Sequence, residues 1–136
     1  MINFFSETGF ELDEATELSV KLERLIINEG FNLGEINYIF CDDNYLLEVN
    51  KEYLNHDYYT DIISFDYSEN KMISGDIFIS IDRVFENSKS FKKTFDNELR
   101  RVMFHGLLHF CGYKDKTDSE KEKMRKKEDF YLSFGE

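Results

Sequence analysis

The segment Asp96 to Cys111, DNELRRVMFHGLLHFC, constrains the fold more than any other stretch of this chain. Its apolar residues are Leu99, Val102, Met103, Phe104, Leu107, Leu108, Phe110 and Cys111. At about 100° per residue they cover most of a helical circumference. The segment therefore reads as a largely buried helix, and other elements must pack around it.

The remaining sequence supplies those elements. INFFSE, residues 2–7, reads as a short first strand. Asp13 to Asn28 carries Ala15, Leu18, Leu22, Leu25 and Ile26 at helical spacing, and Gly30 ends that helix. EINYIFC (35–41) reads as a strand, and Asp42 or Asp43 caps a helix to about Tyr53. DIISFDY (61–67), the polar turn SENK and residues 71–81 form an antiparallel hairpin. A helix follows from Asp82 to about Phe91, then the buried helix. A last helix, capped by Asp118 or Ser119, has Met124, Phe130, Tyr131 and Leu132 as its apolar positions. The order is β-α-β-α-β-β-α-α-α. It predicts an α+β fold: a small mixed four-stranded sheet packed with about five helices. At 136 residues with 41% apolar content, one domain spanning 1–136 is expected.

Two of the three histidines, His105 and His109, lie on the buried helix. Spaced i and i+4, they project about 40° apart and can face one ion. A divalent cation would satisfy both imidazoles and keep them neutral; ordinary hydrogen bonds are the plainer alternative. Gly112 can end the helix in the left-handed conformation, and Asp115 then lies where a returning chain can reach the same ion. Two imidazoles and one carboxylate make an open, three-ligand layout, the arrangement of a catalytic rather than a structural metal. Peptidases of the HExxH type carry a general-base Glu after the first His, whereas this chain has Gly106. That glycine speaks against peptide hydrolysis and lets another backbone or a substrate approach the helix.

HGLLHFCGYKD (105–115) resembles HGxLHLxGYDH, the signature of the bacterial YbeY family of metal-dependent endoribonucleases. VNKEYLNHDYYTDIISFDY (49–67) is similar to the family's LNxxYRxxDxPTDVLSFP, and GDIFIS (75–80) to its GDIxI strand. The three blocks occur in family order. The resemblance implies a sheet of about four strands surrounded by helices, and a metal, usually taken as zinc, on the central helix. It implies cleavage of single-stranded RNA in late 16S rRNA 3′-end maturation and ribosome quality control. The small ribosomal subunit and its proteins would be the partners. The first two ligands carry over to His105 and His109. The third falls on Asp115, where the family usually has His, and the preceding family Asp falls on Lys114. A carboxylate there keeps a ligand, makes the bound water less acidic, and makes iron, nickel or manganese more acceptable beside zinc.

The family's basic residue after NxxY falls on Leu54, which cannot engage phosphate. His56 is a candidate proton donor or phosphate contact, set against a surface loop histidine. Thr60, Asp61 and Ser64 match the family; they are expected mainly to hold the loop beside the cleft, with Thr60 and Ser64 as candidate substrate contacts. The formal net charge of −11 repels phosphate. Positive charge is therefore expected from Lys89, Lys92, Lys93, Arg100 and Arg101, with Lys92 and Arg101 as candidate RNA contacts. Lys121, Lys123, Arg125, Lys126 and Lys127 read as a solvated helix face. Glu98 reads as a solvated residue near a helix start, with support of the metal ligands as the alternative. Cys41 and Cys111 read as packed free thiols of a cytosolic protein, and no apolar run reaches membrane length. Two other functions stay open: a ribosome-associated assembly factor with a mainly structural metal, and a metal-dependent hydrolase of another substrate.

Overall fold

The computed structural model describes residues 1–134. Its elements follow in the expected order: β1 (Ile2–Ser6), α1 (Ala15–Asn28), β2 (Asn32–Cys41), α2 (Asp43–Leu54), β3 (Ile62–Asp66), β4 (Met72–Ser80), α3 (Ile81–Ser90), α4 (Phe95–Phe110) and α5 (Asp118–Leu132). The strands form one mixed sheet in the order β1-β2-β4-β3. β1 and β4 pair parallel with β2, and β3 pairs antiparallel with β4. The fold is α+β, with five helices on a four-stranded sheet.

Strand periodicity sorts the side chains into two cores. Ile36, Tyr38, Phe40, Ile77 and Ile79 face one way and pack with α1, α4 and α5 through Leu22, Leu25, Leu107, Leu108 and Met124. Cys41 and Ile63 face the other way and meet Leu46 and Val49 of α2. The apolar circumference of α4 has its physical answer in this layering, for the sheet, α1, α3 and α5 all touch it.

Two glycines fix how α4 is seated. A Cβ at Gly106 would stand 3.0 Å from the Cδ1 atoms of both Ile62 and Ile77. The close approach that this glycine permits is therefore to side chains of the sheet, not to another backbone or a substrate. A glutamate here would point into the core, which explains why this position cannot carry a peptidase's general base. At the other end Gly112 takes φ +101°. Its amide bonds to the His109 carbonyl, and the Tyr113 amide to that of Leu108, which closes the helix and turns the chain back. Thr94 caps the start of α4 by accepting from the Asn97 amide, and Thr117 with Glu120 forms a capping box on α5.

Candidate metal centre

The turn at Gly112 brings Asp115 against the exposed edge of α4. His105 Nε2 and His109 Nε2 lie 2.9 Å apart, and Asp115 Oδ2 stands 3.2 Å from the first and 3.3 Å from the second. Bonds of about 2.0–2.1 Å at tetrahedral angles place donor atoms about 3.3 Å apart, so this triangle matches one face of such a site. Three acceptor atoms converging on one point repel one another unless a proton or a metal cation lies among them. Among the described residues, this is the one His/Cys/Asp/Glu group whose donor atoms cluster closely enough to hold a metal ion.

The opposite ring nitrogens are both engaged. His105 Nδ1 donates to Glu128 Oε2 at 2.7 Å, and His109 Nδ1 donates to the Tyr113 carbonyl at 2.9 Å. Each bond leaves the Nε2 lone pair free to face the shared point. Glu128 also accepts from the Arg101 guanidinium at 2.8 Å, and Arg101 reaches Asp129 as well. Tyr113 is held in turn, its hydroxyl donating to Glu29 at 2.7 Å. Glu29 also accepts from Lys127 and Tyr131 of α5. His105 is thus oriented by α5 directly, and His109 by the turn after α4, whose Tyr113 shares Glu29 with α5.

Burial opposes protonation of His105, but the hydrogen bond and charge of Glu128, with Asp115 and Asp61, outweigh it and raise its pKa above the ordinary 6.5. Burial would likewise raise the Glu29 carboxyl, yet Tyr131, Tyr113 and Lys127 hold it below the usual range. Both thiols are pushed up to about 12, chiefly by burial, and neither belongs to the triad. They stay neutral and packed.

Two recesses meet at His105 and Asp115. One, of about 290 Å³, also has Asp61, Glu98, Lys93 and Arg125 in its wall. The other, of about 270 Å³, extends along α5 past Lys121 and Met124. Several sequence expectations change here. Glu98 is not solvated: it is 4% exposed, on the wall of the first recess. Burial first, then the neighbouring charge of Asp61, raises its pKa. Lys92 lies on the exposed turn after α3 at φ 56°, and Lys93 lines the recess in its place. Arg101 does line it, although its guanidinium is committed to two carboxylates. Arg100 pairs with Glu14 and Asp96, and Lys89 lies over the Phe85 ring, so neither contributes to the recess wall.

The loop candidates lie apart from the triad's recesses. His56 is exposed and stacks on Tyr58, with ring centroids 5.1 Å apart. Thr60 bonds to the Ile62 carbonyl, and Ser64 sits in β3 opposite Ile77; neither lines the recess, whereas Asp61 and Ile62 do. The basic run on α5 is only partly a solvated face, because Lys121 and Arg125 flank the triad and Lys127 binds Glu29. Glu128 is the important residue that sequence reasoning missed. Its signal was present: Met124, Glu128 and Tyr131 share one helical stripe, and a carboxylate within such a stripe requires a partner.

The chain resembles known proteins along most of its length. The family model described as Endoribonuclease YbeY matches residues 6–135. A Flavobacterium johnsoniae protein named Endoribonuclease YbeY is 57% identical over 129 residues, covering 95% of this chain and 93% of its own. A Flavobacterium psychrophilum protein of the same name is 57% identical over 134 residues, covering 98% and 96%. A Thermotoga maritima protein solved in solution superposes with a TM-score of 0.70 at 28% identity, over 97% of this chain and 87% of that one. By its sequence from near one end to the other, and by its fold, the chain belongs to the Endoribonuclease YbeY family.

Proposed function

We propose that this protein is a metal-dependent endoribonuclease that cuts single-stranded RNA. It acts in the cytoplasm on 16S rRNA near its 3′ end, in late maturation and ribosome quality control, with the small ribosomal subunit as its partner. The observation that carries the reading is the triad itself, His105, His109 and Asp115, converging on one point where two recesses meet. An enzyme that cuts within a polymer must seat nucleotides on both sides of the broken bond. Two recesses flanking one ion site suit that need.

The three side chains would hold zinc, with iron, nickel or manganese as acceptable substitutes. Bound there, the ion supplies Lewis acidity and makes coordinated water a better nucleophile near neutral pH. The chain's own groups do the rest. Glu128 and the Tyr113 carbonyl fix the two rings. Lys93 and Arg125, without ion pairs among the described residues, offer the phosphodiester backbone positive charge on a chain whose net charge is −11. Asp115, with its side chain 39% exposed, closes one side of the triad and leaves the recess side open. Among the described residues no helix is long and apolar enough to cross a membrane.

The test is cleavage of a 5′-labelled single-stranded RNA by metal-loaded protein, with Asp115→Ala and His109→Ala beside it and metal content measured on each. Site-specific products are expected from the wild type, with loss on chelation and recovery on adding zinc. Intact RNA with wild type and variants alike would overturn the reading. A second reading, an assembly factor with a structural metal, draws on Leu54 standing where the family has a basic residue. It predicts that chelation lowers Tm while ribosome association persists.

A further inference from the structure

The first recess contains a group that the reading above leaves idle. Glu98 is 4% exposed as a residue; among the described residues its carboxylate makes no hydrogen bond or ion pair, and its oxygens open into the recess rather than being sealed in the core. Water in the recess can donate to this carboxylate, so a ligand that enters must replace those donors with its own. Arg101 spends its guanidinium on Glu128 and Asp129. Asp61, on the same wall, is a second acceptor, and its charge bears on Glu98.

Distance decides what Glu98 can do. It precedes His105 by seven residues, two turns along α4, so it lies about 10 Å away along the axis and only about 20° round it. A general base must come within about 3 Å of the proton it takes. Glu98 is too far from the triad for that, and well placed for the neighbouring nucleotide. A second metal ion is the competing occupant. Asp61, Glu98 and Glu128 do not form a metal-sized cluster, whereas His105, His109 and Asp115 do.

The rim supplies the rest of a nucleotide's complement. Phe91, 56% exposed at the end of α3, offers a ring face for stacking. Lys93 and Arg125 offer charge for phosphate. About 290 Å³ lies near the lower end of the roughly 300–1,000 Å³ of small-molecule sites.

We infer that this recess is a nucleobase subsite beside the scissile phosphate, and that Glu98 selects guanine. Only guanine presents two adjacent N–H donors, N1–H and the N2 amino group, to the two oxygens of one carboxylate. Adenine and cytosine offer an amino group beside a ring acceptor, and uracil a single N–H between two carbonyls. The inference rests on the endoribonuclease reading for its biological sense, but its test does not need turnover. Metal-loaded full-length protein is titrated with GMP, AMP, CMP and UMP, following amide NMR shifts at Phe91 and Glu98. GMP is expected to bind about ten- to a hundredfold more tightly than UMP, the discrimination of one good bidentate contact. In Glu98→Gln and Glu98→Leu, checked for an undiminished Tm, that ratio is expected to collapse toward one. Equal binding of the four nucleotides, or a preference that survives in both variants, overturns the inference. So does a second bound divalent ion that Glu98→Gln removes. RNA cleavage without nucleotide preference sinks the subsite and leaves the nuclease. A Glu98-dependent GMP preference without RNA cleavage supports the subsite and sinks the nuclease.

Discussion

Glu128 divides its two oxygens between Arg101 and His105, and the centre depends on that division. Replacing it with Gln keeps the size but removes the charge that holds the His105 ring and supports its basicity. Metal affinity is expected to fall about 10–100-fold, the usual effect of losing an oriented partner of a ligand, and competition with a chelating dye will read it. The same contact sets a pH dependence. The pKa of His105 is raised in the folded, metal-free protein, so its contribution to stability is complete below about 6.5 and is lost as pH rises through the raised value. A metal must displace that proton. Affinity measured by competition is therefore expected to fall about tenfold per pH unit below the raised pKa, and Glu128→Gln should shift the onset to lower pH. His105, His109 and Asp115 were legible in the sequence because a helix and one glycine turn fix their spacing. Glu128 was not, because its partner lies 23 residues away on another helix. Glu98 was misread because position near a helix start says nothing of what covers it.

α4 shows how an element carries both core and chemistry. Its buried faces are apolar, its histidines occupy the edge that escapes the sheet, and Gly106 sets the seating distance. Gly106→Ala places a methyl group 3.0 Å from the Cδ1 ends of Ile62 and Ile77, so these packed side chains must give way by a few tenths of an ångström. Overpacking is expected to cost about 1–3 kcal/mol in denaturant unfolding, offset by about 1 kcal/mol of helix propensity that Ala gains over Gly. All nine elements were readable from periodicity and caps, with small differences at most ends. β2 begins three residues earlier than the expected Glu35, at Asn32, because its first residues pair with Met72 and Ile73 across an irregular register. Local pattern does not record such pairing.

For the whole molecule, the arrangement of strands had to come from the structure. β2 takes the centre beside β4 because parallel pairing on both its edges is a nonlocal outcome. Charge is also a property of the whole. With a net charge of −11, long-range steering of RNA is unfavourable, and binding must depend on the few cations at the recesses. If Lys93, Arg125 and Lys121 are the phosphate contacts, log affinity for single-stranded RNA is expected to fall with log salt with a slope of about −2. Filter binding across a salt series measures it, and a slope twice as steep would require contacts elsewhere on the surface. The anchoring of His105 by α5 has a consequence in time. A polypeptide is made from its N-terminus, and Lys127, Glu128 and Tyr131 follow both histidines in the chain. A nascent chain that has emerged only as far as Asp115 already holds all three donors and the Tyr113 carbonyl that orients His109, but nothing yet sets the direction of the His105 ring. The oriented His105 ring of the metal centre therefore arrives with α5, after the rest of the fold is in place.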